Sequence, residues 1–211
     1  MIRHLFLTAA ALSLAACAPA AESEPQAAAQ PTPQQDFMAR IADHCGRAYE
    51  GELVSSDEAD ADIARERLIM HVAECGEGEI RIPFHVGDDR SRTWVLTIDG
   101  EGDGQAITLK HDHRHEDGSE DAVTQYGGTT ADEGAATRQA FPADDFSKAL
   151  FEREGLNVSV ANTWAMEIDD NVFAYELRRP ESADGRFFRV EFDLGEEVET
   201  PPPVWGSEGH N

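Results

Sequence analysis

Basic residues are scarce in this chain. Lys and Arg number 17 among 211 residues, against 42 Asp and Glu, which gives a formal net charge of −25 at neutral pH. A surface with this excess of negative charge repels phosphate backbones and anionic lipid headgroups. The composition therefore excludes nucleic acid as a partner. It favours a highly soluble domain with a charged outer shell over a surface selected for a cationic partner.

Motifs that define a reaction are also missing. The sequence contains no G-x-S-x-G nucleophile elbow and no glycine-rich phosphate loop before a helix. It has only three cysteines, and no histidine occurs between Glu116 and Gly209. A late strand therefore cannot supply an axial histidine to haem. No enzyme class is predicted, and a non-catalytic protein is the preferred interpretation.

Residues 1–16 have the layout of a secretory signal. A short basic start precedes an apolar run of about a dozen residues, which is too short for a stable membrane span. The four residues Leu14-Ala15-Ala16-Cys17 resemble the lipobox of bacterial lipoproteins. This resemblance implies acylation of Cys17 and, because Ala18 replaces the aspartate of the retention signal, sorting to the periplasmic face of the outer membrane. An ordinary signal with a chance cysteine is the alternative.

The rest of the chain divides into a tether, a domain and a tail. Residues 17–35 are rich in Ala, Pro and Gln, which cannot form a core, so we expect an extended tether. Residues 36–204 can form one β-rich domain with a core, and residues 205–211 form a flexible tail. In an oxidising envelope Cys45 and Cys75 are expected to form a disulfide, with redox or metal-binding thiols as the alternative.

Alternation of apolar and polar residues dominates the domain. It predicts about eight or nine strands, mostly joined by short turns. Helical spacing predicts one helix over Asp36–Gly46 and another opening at Pro142–Asp145, with Phe146, Leu150 and Phe151 on its apolar side. The predicted fold class is mainly β: an antiparallel meander that closes as a barrel or strongly curled sheet.

Two further local patterns in the domain predict a turn and a strand. Gly127-Gly128 is interpreted as a turn between strand-like segments over Val123–Tyr126 and Ala135–Phe141. The alternation from Val158 to Ile168 predicts one continuous strand.

Two resemblances bear on this plan. The architecture resembles lipocalin-like barrels, but no GxW motif marks the first strand, so the resemblance is one of architecture alone. The run LKHDHRHEDGSEDAVTQYGG, together with FPADD, Trp164 and the strand RVEFDL, resembles a family of uncharacterised bacterial secreted proteins and lipoproteins. That resemblance implies no particular activity.

The stretch Ile107–Gly128 contains a cluster of histidines. Side chains alternate along a strand, so His111, His113 and His115 should continue the apolar face that Ile107 begins. Alternate positions lie about 6.6 to 6.8 Å apart, and imidazoles so placed can converge on zinc or copper. A transition-metal site on His111 and His113 is therefore one hypothesis.

Oxygen atoms for such a site could come from Glu116, Asp117 or Asp121. The same neighbours allow a hydrolytic site in which His113 or His115 acts with Glu116 or Asp117 as acid and base. The alternative to both is a hydrogen-bonded network that only holds the following loop in place.

The preferred functional interpretation is an outer-membrane-tethered lipoprotein whose barrel binds a small molecule or an envelope protein. Polar groups on an otherwise apolar lining would orient a ligand. The candidates are His111, His113, Tyr126, Asn162 and Tyr175. A purely structural lipoprotein is the competing interpretation, with a barrel filled by Trp94, Trp164, Phe173, Phe188 and Phe192.

Overall fold

A computed structural model describes residues 30–207, apart from the side chain of Asp103. The predicted signal, Cys17, most of the tether and the last four residues lie outside this range. The described chain contains two α-helices and eleven strands. The helices are α1 Pro33–Ala42 and α2 Asp145–Arg153; the strands are β1 Ala48–Leu53, β2 Leu68–His71, β3 Glu74–Cys75, β4 Glu79–Val86, β5 Asp89–Asp99, β6 Ala106–His113, β7 Tyr126–Thr129, β8 Arg138–Pro142, β9 Thr163–Ile168, β10 Val172–Arg179 and β11 Arg186–Val198.

All strands belong to one antiparallel sheet. Its order is β7-β6-β5-β4-β2-β1-β11-β10-β9-β8, and the two-residue strand β3 also pairs with β4. The two end strands approach each other, because Gly128 bridges to Ala143 and the Asp144 amide donates to the Gly127 carbonyl over 3.1 Å. The sheet is thus nearly closed into a barrel, which confirms the predicted fold class.

Gly127 and Gly128 lie inside β7, so their interpretation as a turn was wrong. Neither has a positive φ; close backbone packing is what requires glycine here. A Cβ on Gly127 would lie 1.8 Å from the Leu109 carbonyl oxygen, and one on Gly128 would lie 2.0 Å from the Pro142 carbonyl oxygen. The pair therefore permits the close approach at which the barrel closes.

Helix α1 begins three residues earlier than the predicted start at Asp36. Thr32 accepts a hydrogen bond from the Gln35 amide, and the Gln35 side chain accepts one from the Thr32 amide. This capping box, with Pro33 as the first helical residue, starts the helix. Phe37 and Ile41 are fully buried, as their spacing predicts.

Helix α2 buries Leu150 and Phe151 but not Phe146, which is 54% exposed, so its predicted place on the apolar face was wrong. The Lys110 ammonium lies 5.0 Å from the centre of the Phe146 ring, where a cation–π contact can stabilise it at the surface.

The continuous strand predicted from Val158 was also wrong. Asn157–Ala161 form a short 3-10 turn, in which the Asn162 amide donates to the Ser159 carbonyl, and β9 starts after it.

A disulfide joins Cys45, just after α1, to Cys75 in β3, with 6.2 Å between the two Cα atoms. This confirms the predicted pairing and covalently links the end of the helix to the sheet.

Among the described residues, no helix has the length and apolar character needed to cross a membrane.

Candidate ligand-binding site

The inward face of β6 brings the first two histidines into the barrel. His111 pairs in register with Trp94 of β5 on one side and with Tyr126 of β7 on the other. Tyr175 reaches them from β10, across the interior of the barrel. A cavity of about 140 Å³ lies among these side chains. The structure therefore groups His111, His113, Tyr126 and Tyr175, four of the five residues proposed to orient a ligand, around this cavity.

Aromatic rings form the buried part of the cavity wall. The Trp94 ring stacks on Tyr175 at 4.4 Å between centroids and on Phe84 at 4.7 Å. The five aromatic residues expected to fill the barrel are all buried, yet the cavity remains. The interior is therefore mostly solid, with one small opening in its packing.

The other side of the cavity is formed by side chains that are partly exposed. Buried rings therefore face a partly exposed rim, and a small molecule could enter between the rim side chains without unfolding the barrel. The rim consists of Ile63, Arg92, His113, Tyr126, Leu177 and Arg186.

Both ring nitrogens of His111 are engaged. Nδ1 lies 3.0 Å from the Tyr126 carbonyl oxygen, which can only accept, so Nδ1 carries the proton and donates. Nε2 must then accept the hydrogen bond from the Tyr175 hydroxyl, 2.7 Å away. This geometry fixes the tautomer of His111. It also leaves the Tyr175 oxygen with only acceptor capacity towards the cavity.

The histidines of the site are neutral at neutral pH. Burial lowers the pKa of His111 to about 3, assisted by repulsion from His113. Burial, with the charge of Arg92, lowers the pKa of His113 to about 4. Burial raises the pKa of Tyr126 to about 12, and its hydroxyl lies 3.2 Å from Nε2 of His113. The site thus presents neutral hydrogen-bonding groups, with no charged imidazole.

Sequence reasoning missed Asp60 and Arg186, a buried carboxylate and a partly exposed guanidinium that form an ion pair at the cavity. Asp60 is only 1% exposed; its Oδ1 accepts from Arg186, whereas its Oδ2 has no hydrogen-bond partner within residues 30–207. Burial raises the pKa of Asp60, and the guanidinium opposes that rise. Nothing in the local pattern of the segment SSDEADADI, which contains Asp60, indicates that one of its carboxylates points inward.

Asn162 does not join the site. It is buried, and its backbone carbonyl accepts from the Ala143 amide over 2.9 Å, which helps to close the barrel. Its side-chain oxygen lacks a hydrogen-bond partner in the described part of the chain.

His115 is also separate. Strand β6 ends at His113, so the prediction that His115 continues the inward face was wrong; its side chain is 57% exposed and lies 3.7 Å from Asp121. Asp117 accepts from the Ser119 amide in the same loop. His113 and His115 therefore contact Tyr126 and Asp121 here, rather than the Glu116 or Asp117 carboxylates considered for catalysis.

The arrangement bears on metal binding as well. The rings of His111 and His113 are 6.4 Å apart between centroids. No group of three or more His, Cys, Asp or Glu able to hold a metal occurs within the described range. A metal at His111 would have to replace one of its two hydrogen bonds. Zinc at this pair stays a prediction, while the hydrogen-bonded network weighed against it is present.

Comparisons of this chain with protein-family models, with curated proteins and with solved structures returned no match.

Proposed function

We propose that the protein is a non-catalytic lipoprotein of the outer membrane whose barrel holds a small, flat, hydrogen-bonding molecule. The observation that carries this proposal is the cavity that Trp94 lines together with the hydrogen-bonded pair His111 and Tyr175. Aromatic walls with a few fixed polar groups are the usual lining of a small-molecule site. Here they lie inside a nearly closed barrel, which supports ligand binding.

The volume of the cavity limits the size of the ligand. At about 140 Å³ it compares with protein cavities of about 150 Å³ that accept benzene. A single aromatic or heteroaromatic ring with one or two small substituents fits this space, whereas a fatty acid or haem does not. Trp94 stacks on both Tyr175 and Phe84, so these rings would contact a flat ligand mainly through their edges.

Binding of a ring-sized probe tests the ligand part of the proposal. Titration of the wild-type protein with phenol and toluene, followed by calorimetry or thermal shift, should show one saturable site. Replacing Leu177, a rim residue, with Trp should fill the cavity and abolish that site. The control Leu156→Trp makes the same change at a residue that is 40% exposed and does not line the cavity. Binding that survives in Leu177→Trp, or none in the parent, would contradict the proposal.

The anchoring part rests on the lipobox resemblance and is tested separately. The wild-type protein should sediment with outer-membrane vesicles after a salt wash and should incorporate a labelled fatty acid. Cys17→Ser should do neither, because it removes the thiol that would be acylated. A Cys17→Ser protein that stays in the washed membrane fraction would contradict lipid anchoring.

A further inference from the structure

Asp60, a residue that lines the cavity, has an unsatisfied carboxylate oxygen that points to the chemistry of the ligand. Oδ2 of Asp60 is buried and has no hydrogen-bond partner within residues 30–207, although Asp60 lines the cavity. A buried carboxylate oxygen left without a donor costs free energy, on the order of 1 to 3 kcal/mol or more. Such groups call for a specific explanation.

The partner of Asp60 determines which kind of group could satisfy it. Arg186 donates to Oδ1, and this guanidinium also lies 3.8 Å from Asp57. The ion pair favours the ionised form of Asp60, in which both oxygens can only accept. Because Asp60 already has the Arg186 guanidinium as a cationic partner, a neutral donor suffices to satisfy Oδ2.

None of the donors in the described part of the wall satisfies Oδ2, because that oxygen has no hydrogen-bond partner within residues 30–207. The Tyr175 proton is committed to His111, and Nδ1 of His111 donates to the Tyr126 carbonyl. Arg92 donates to Asp89 over 2.5 Å. Oδ2 of Asp60 is thus a buried acceptor beside an aromatic cavity, without a donor in the described part of the chain.

We infer that the ligand is a neutral aromatic ring bearing an O–H or N–H donor, and that Asp60 selects it by accepting that hydrogen. This inference rests on the proposed ligand-binding function of the cavity. It makes Asp60 the specificity-determining residue, because an apolar ring of the same size would leave Oδ2 unsatisfied. A site built to accept a hydrogen bond discriminates strongly against a ligand that lacks the donor.

Phenol and toluene test the inference, because they differ mainly in a hydroxyl against a methyl group. Calorimetry of the wild-type protein should show phenol binding at least about tenfold more tightly than toluene. This comparison needs no variant. In a purely apolar cavity toluene would bind more tightly, because phenol loses more hydration.

The variant Asp60→Asn makes the test specific. Arg186 should hold the amide oxygen, which would turn the amide N–H groups towards the cavity. Phenol should then lose at least about tenfold in affinity, while benzonitrile, whose nitrogen only accepts, should gain. The matched control is Asp57→Asn, which faces the same guanidinium but does not line the cavity and should leave both affinities unchanged.

The outcomes separate this inference from the function it rests on. If toluene binds as tightly as phenol, or if Asp60→Asn retains the wild-type preference, the role of Asp60 is refuted while the cavity remains a binding site. If no ring-sized probe binds the wild-type protein, the proposed function fails as well. Retained toluene binding in Asp60→Asn would show that the variant is folded.

Discussion

The Tyr175 hydroxyl and Nε2 of His111 are 2.7 Å apart, although 64 residues separate them in the sequence. This hydrogen bond joins β10 to β6 across the barrel interior, and both residues are buried. It fixes the orientation of the imidazole and the tyrosine ring at the same time. The polar groups of His111 and Tyr175 in the cavity wall therefore hold each other in place, although β6 and β10 are not neighbours in the sheet.

Removing this hydroxyl should destabilise the barrel. Tyr175→Phe leaves Nε2 of His111 buried without a donor, so we expect a loss of about 1 to 3 kcal/mol in the free energy of unfolding. Urea denaturation measures the loss. Tyr49→Phe is the matched control, because its hydroxyl also lies 2.7 Å from a histidine, but His44 is only half-buried and can bond water instead. An equal loss in both variants would contradict a special role for the interior pair.

Acid should destabilise the protein through its buried histidines. Burial lowers the pKa of His111 to about 3 in the folded barrel, from the ordinary value of 6.5 that the residue has in the unfolded chain. The unfolded state therefore binds a proton that the folded state excludes. The stability from this residue is fully present above about pH 6.5 and decreases as the pH falls towards 3. At pH 5 the loss from His111 is roughly 2 kcal/mol.

His111→Gln should flatten this dependence between pH 7.5 and pH 5, because glutamine does not titrate. The measurement is the urea midpoint at several pH values. His115→Gln is the control, since its exposed side chain makes no buried contact. A His111→Gln protein that keeps the wild-type slope would contradict the burial of a neutral imidazole.

Barrel closure should depend on Gly128. A Cβ at this position would overlap the Pro142 carbonyl, so Gly128→Ala must push β7 and β8 apart. We expect a loss of at least about 2 kcal/mol in thermal or urea unfolding. Gly104→Ala serves as the control, because a Cβ there meets no atom within 4 Å. Similar stabilities for the two variants would argue against tight closure at this seam.

Sequence reasoning identified the sheet, both helices, the disulfide and four residues that line the cavity, because each depends on a local sequence pattern or, for the disulfide, on there being only one expected pair of cysteines. It failed where the cause is a contact between distant segments. The sequence around Gly127 and Gly128 does not show whether the glycines form a turn or allow two strands to pack closely where the barrel closes. Asp60 and Arg186 are 126 residues apart, and only the closed barrel brings them together at the cavity.

Zinc titration tests the alternative function at His111 and His113. An ion on Nε2 of His111 must displace the Tyr175 hydroxyl, so wild-type binding should be weak. Tyr175→Phe should strengthen it by about tenfold, because the nitrogen is then free, and the double variant His111→Ala, His113→Ala should abolish it. Calorimetry with zinc and with copper measures all three proteins. Unchanged binding in the double variant would place the ion elsewhere.

Diffraction from crystals grown with 4-bromophenol tests the central claim most directly, because anomalous scattering locates the bromine without interpretation of weak density. We predict one bromine peak inside the barrel beside Trp94, with the phenol oxygen within hydrogen-bonding distance of Oδ2 of Asp60. The peak should be absent from crystals of Leu177→Trp. An ordered wild-type barrel with no bromine in the cavity, at probe concentrations of several millimolar, would contradict the account.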